Sequence, residues 1–128
     1  MNPEHEIVMI IINDALICKG MTLLLEDMGF TVISANSYST IDKNIVSSKK
    51  PVLIILSMTF NKTQAVNETI QTIRADLNFQ HPIICLCSEE QNLITSNNDS
   101  SIIFLPEQTR PELLRKKISE ITKALASF

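Results

Sequence analysis

Five short runs of the chain are apolar at nearly every position: residues 7–12, 30–35, 52–56, 83–87 and 102–105. A strand with one face in water alternates polar and apolar residues, whereas a parallel strand covered on both faces has no need to. The runs therefore predict interior strands of a parallel sheet. Parallel neighbours cannot be joined by a tight hairpin, and each connection must be a crossover of about a dozen residues or more, usually a helix.

The intervening segments carry helical spacing. Ile17, Met21, Leu24, Leu25 and Met28 fall on one face of a helix, and Gly29 follows where a left-handed stop is needed. Val66, Ile70, Ile73 and Leu77 repeat the pattern before the fourth run, and Leu114, Ile118, Ile121 and Leu125 repeat it at the C-terminus. Thr109-Arg110-Pro111-Glu112 matches a capping box, with Pro111 in the first turn. After the second and fourth runs, Ile41, Ile45 and Val46, and then Leu93 and Ile94, supply one apolar turn each. Short helices are expected there. Five right-handed β-α units place helices on both faces of the sheet. The expected fold class is α/β: a single doubly wound, five-stranded parallel sheet, flavodoxin-like, with residues 1–128 forming one domain. In such sheets ligands sit outside the carboxyl ends of the strands.

Composition excludes several functions. The longest apolar run has six residues, against roughly 20 for a membrane span. Residues 1–6 carry Glu4, His5 and Glu6 rather than a basic leader, so a cytoplasmic protein with no membrane insertion is expected. A net charge of −3, with only the short patches Lys49-Lys50 and Arg115-Lys116-Lys117, predicts no direct binding to nucleic acid. Three cysteines argue against a disulfide framework, and Cys85 and Cys87 alone are too few for zinc. Neither His5 nor His81 belongs to a recognisable catalytic motif, and Gly20 and Gly29, the only glycines, make no phosphate cradle. No enzyme activity, catalytic residue, metal or cofactor is expected.

Residues 10–21, Ile-Ile-Ile-Asn-Asp-Ala-Leu-Ile-Cys-Lys-Gly-Met, and their continuation through Leu23-Leu24-Leu25-Glu26-Asp27-Met28-Gly29-Phe30-Thr31-Val32 resemble the first strand, helix and second strand of the receiver domain of two-component response regulators. Lys50-Pro51 before the third run, Pro82 before the fourth and Pro106 after the fifth extend the resemblance over nearly the whole chain. Receivers form an acyl phosphate on an aspartate ending strand three, beside Mg²⁺ held by that residue and an acidic pair after strand one. The resemblance places Ser57 at the acceptor, and Ile12 and Asn13 at the acidic pair with Asp14 one position beyond. It places Cys87 at the switch hydroxyl, Leu105 at the phosphate-pairing lysine and Ile102 at the switch aromatic. It thus implies a receiver scaffold whose phosphoryl pocket has degenerated. Asp14 has a second reading as the N-cap of the first helix.

The leading functional expectation is a protein-interaction module of a phosphorelay, independent of phosphorylation, whose partner is another signalling protein or a second copy. The expected contact face joins Leu93, Ile94 and Ile102, rimmed by Arg110, Glu112 and Arg115. The alternatives are a receiver still modified, or binding an anion, at Ser57, and a flavodoxin-like protein that binds a small ligand.

Overall fold

Every residue of the first strand, β1 (Ile7–Ile12), is buried, as its unbroken apolar run requires. The computed structural model describes residues 6–57, 63–87, 101–106 and 109–126. In chain order, β1 is followed by α1 (Ala15–Asp27), β2 (Thr31–Ala35), a 3-10 turn (Tyr38–Thr40), α2 (Lys43–Lys49), β3 (Leu53–Ser57), α3 (Thr63–Leu77), β4 (Ile83–Cys87), β5 (Ile102–Pro106) and α4 (Pro111–Ala126). All neighbours in the sheet are parallel and the strand order is β2-β1-β3-β4-β5. The order reverses direction after β2, which makes the sheet doubly wound.

Alternation along each strand splits the core in two. Val8, Ile10, Leu53, Ile55, Ile84 and Leu86 bury against Met21 and Leu25 of α1 and Leu114 and Ile118 of α4. On the opposite face Met9, Ile11, Ile54, Leu56, Ile83 and Cys85 pack with Val46 of α2 and Val66, Ile70 and Ile73 of α3. Cys85 is thus a core side chain, as its place in an apolar strand implies.

The expectation of interior strands holds for β1, β3 and β4 and fails at the edges. Thr31 and Ser34 of β2 are exposed, and β5 is only partly buried beyond Ile102. With a neighbour on one side only, each edge strand presents its flank to solvent.

The helix ends follow local chemistry. Asp14 caps α1, its Oδ1 accepting from the backbone N–H of Leu16 at 2.9 Å and of Ile17 at 3.1 Å. Gly29, at φ 94°, closes the same helix: its N–H donates to Glu26 and that of Phe30 to Leu25, the two bonds of a Schellman turn. The capping box at α4 does not form as expected. The helix begins at Pro111, and the Thr109 hydroxyl donates back to the Pro106 carbonyl at 2.6 Å, closing the turn that leaves β5. Leu93, Ile94 and the short helix expected around them lie outside the described residues.

Candidate functional site at the carboxyl ends of the strands

Strand register brings three of the expected pocket residues, Ile12, Ser57 and Leu105, into one row. Ile12 stands opposite Ser57, Ser57 opposite Leu86, and Leu86 opposite Leu105, so one row crosses four strands at the carboxyl edge. Residues in register on parallel strands project to the same face. Ile12 and Leu86 are buried in the cluster beneath α1 and α4, and Leu105 packs against that cluster. Ser57 lies two residues beyond Ile55 of the same cluster and shares its face. It is fully buried, and its Oγ has no hydrogen-bond partner among the described residues. The row is therefore apolar apart from one enclosed hydroxyl.

Asn13 and Asp14 sit just beyond this row. Asn13 is exposed, and its backbone N–H donates to the Ser57 carbonyl at 3.3 Å, carrying the β1–β3 ladder one residue past the strand. Asp14 serves α1 as its cap, so the capping reading holds. Cys87 pairs in register with Pro106.

These donors do not fit the Mg²⁺ site of a receiver. That ion needs hard oxygen ligands in octahedral array, whereas Ile12 is buried in the core, Leu105 packs its apolar side chain against it, and Ser57 offers one buried neutral oxygen. Among the described residues no three His, Cys, Asp or Glu side chains come close enough together to hold a metal.

The expected contact face is partly corrected. Ile102 is 7% exposed and belongs to the cluster under α2 and α3, because β5 pairs it with Ile83 at the covered end of the strand. Arg110 and Glu112 are exposed at the start of α4, while Arg115 pairs with Asp27 of α1 at 2.9 Å and so lies on the α1 flank.

That flank carries features the sequence reading passed over. Leu16 is 82% exposed and Leu113 56% exposed, near a cleft of about 220 Å³ lined by Ile17, Gly20, Leu24 and Pro111, with Leu86 among its walls. Leu86 thus belongs to both the row and the cleft. Counting two residues on from Ile84 would have put it on that face; the exposure of Leu16 has no comparable signal, since it sits beside Ile17 in an apolar helix.

The sheet order and the helices on both faces are those of the CheY-like receiver, a flavodoxin-like fold. No family model matches the chain, and no curated protein does. Among solved structures it is similar to a two-component response regulator from Clostridium difficile, at 20% identity and TM-score 0.67 over 94% of this chain and 98% of that one. It is similar to the chemotaxis protein CheY4 of Vibrio cholerae at 18% identity and TM-score 0.64, over 91% and 98% of the two chains. The anti-anti-sigma factor PhyR of Bartonella quintana matches at 20% identity and TM-score 0.69 over 95% of this chain and 50% of its own. Among the described residues no helix is long and apolar enough to cross a membrane.

Proposed function

We propose that the chain is a receiver-like domain of a two-component signalling system that acts as a protein-interaction module without being phosphorylated. The observation that carries this reading is the row Ile12, Ser57, Leu86, Leu105, in which buried Ile12 and Leu86 flank the residue at the acceptor position and Leu105 continues the apolar row. Acyl-phosphate chemistry needs a carboxylate nucleophile and a cation to stabilise the transferred group. Neither is part of the row. Modification of the Ser57 hydroxyl is disfavoured for a separate reason: with no exposed surface, it reaches a modifying enzyme only after local opening of the strand end.

In an interaction module the row becomes a support. Leu86 joins it to the cleft between α1 and α4, so the surface near Leu16 and Leu113 rests on packing that no phosphorylation event rearranges. A partner protein presenting an apolar side chain would find that surface in one state, with no population-shift cost.

The test is intact-mass spectrometry after incubation with acetyl phosphate. The expected result is an unchanged mass, both for the native chain and for Ser57→Asp, because Ile12 and Leu105 still supply neither metal ligand nor cation. A stable phosphate on either protein would overturn the reading.

A further inference from the structure

We propose that the cavity at the opposite, amino-terminal edge of the sheet, between the ends of α2 and α3, binds a small organic monocarboxylate with an apolar body. The cavity is about 410 Å³ and is walled by two connections, one leading from α2 into β3 and one from α3 into β4. That volume lies within the usual range for small-molecule sites, roughly 300–1,000 Å³.

One wall is held in place by an arginine. The Arg74 guanidinium donates to the Phe79 carbonyl at 3.0 Å and the His81 carbonyl at 2.7 Å, and bonds the Ser101 hydroxyl at the entry to β5. It also lies 5.7 Å from the centroid of the Phe79 ring. Phe79 in turn meets the His81 ring edge-on, with centroids 5.7 Å apart at 77°. Backbone and ring contacts together fix residues 79–81 before any ligand arrives. The two helices that end at the cavity both stop on a left-handed residue that is not glycine, Lys50 at φ 52° and Asn78 at φ 49°. Asparagine is tolerated there; lysine is unusual.

The lining chemistry selects the ligand. Val46, Leu77 and Phe79 provide apolar surface, while among the described residues Lys50 and His81 are its charged or chargeable groups and no carboxylate lines it. Neither the Lys50 amine nor the His81 imidazole has a hydrogen-bond or ion-pair partner among the described residues. Asp76, on the last turn of α3, accepts from the Tyr38 hydroxyl at 3.1 Å and does not line the cavity. Donors above an apolar floor suit an anionic head on a greasy body. The carbonyl ends of α2 and α3 carry partial negative charge, which opposes a dianion such as phosphate more strongly than a monoanion, so of the anions Lys50 and His81 could pair with, a single carboxylate is the better match.

The proposal does not depend on the interaction-module reading, since the cavity and the acceptor row lie at opposite edges of the sheet. Its test is an amide NMR titration of the full chain with benzoate and, as a non-aromatic counterpart, cyclohexanecarboxylate. The expected result is saturable shifts at Val46, Lys50 and residues 77–81. Lys50→Asn keeps a residue suited to the left-handed turn, and His81→Gln leaves the carbonyl held by Arg74. Each should weaken binding about tenfold or more, as loss of a hydrogen bond to a charged group implies, while keeping the native spectrum. Absence of saturable shifts with both acids would overturn the proposal. So would undiminished binding by both folded variants, equal binding of neutral benzyl alcohol, or tighter binding of inorganic phosphate.

Discussion

Ser57→Ala tests whether the acceptor row is as dry as its neighbours make it. A buried hydroxyl left without a partner costs about 1–3 kcal/mol, and Ser57 is buried with an Oγ that has no partner among the described residues. Alanine removes the oxygen and leaves a void smaller than a methylene, whose lost contacts are worth less than about 0.8 kcal/mol. The balance is a stabilisation of about 1 kcal/mol. For a chain of 128 residues that corresponds to a rise in melting temperature of about 4 °C. Urea denaturation followed by circular dichroism should show a higher midpoint with an unchanged slope, since the surface exposed on unfolding is the same. A loss of stability on Ser57→Ala would mean that the hydroxyl is bonded in the native state, and the picture of an apolar row would fail.

The two glycines should respond with opposite signs. At Gly20 an added Cβ meets nothing within 4 Å in the middle of α1, so Gly20→Ala should stabilise by about 0.5–1 kcal/mol, whereas Gly29→Ala, at φ 94°, should destabilise by about 1–2 kcal/mol; thermal denaturation of both variants checks the contrast. Tyr38 is the only tyrosine, and burial, reinforced by its hydrogen bond to Asp76 and that group's charge, pushes its pKa up to about 12. Its ultraviolet titration should therefore lag behind that of free tyrosine. Because the native state holds this proton more tightly, the associated stability is fully present below pH 10 and is lost as the pH rises through about 12.

The fold is legible where local and global requirements agree. The limits of β1 and β4 coincide with their apolar runs, and Gly29 marks the end of α1 because a glycine takes the left-handed turn there without strain. Asp14 is legible as a cap from its place before an apolar helix. The edge positions of β2 and β5 are not, since strand order is a property of the crossovers rather than of the runs. Ile102 illustrates the consequence: an apolar residue opening an edge strand reads equally well as contact surface or as core, and pairing with Ile83 decides for core. The acceptor site divides in the same way. The residue types at Ile12, Ser57 and Leu105 are plain in the sequence, but their alignment in one row with Leu86 depends on register across three strand pairs. Lys50 and Asn78 as helix-ending residues facing one cavity were hidden for a related reason, since two turns 28 residues apart meet only when the sheet forms.

The acceptor row also acts as a ratchet on sequence change. A single charged group introduced at Ile12 or Ser57 would enter an enclosed apolar layer without its counter-ion, a cost of about 3–5 kcal/mol. A domain of this size has only roughly 5–15 kcal/mol to lose. Acid, nucleophile and cation would help one another only when present together, so an intermediate with one of them is less stable than its parent and the route by single substitutions runs uphill at its first step. Drift among apolar residues of similar volume in the same row costs little by comparison, less than about 1.5 kcal/mol per exchange. Once a chain has packed its strand ends in this way, variation keeps the layer closed.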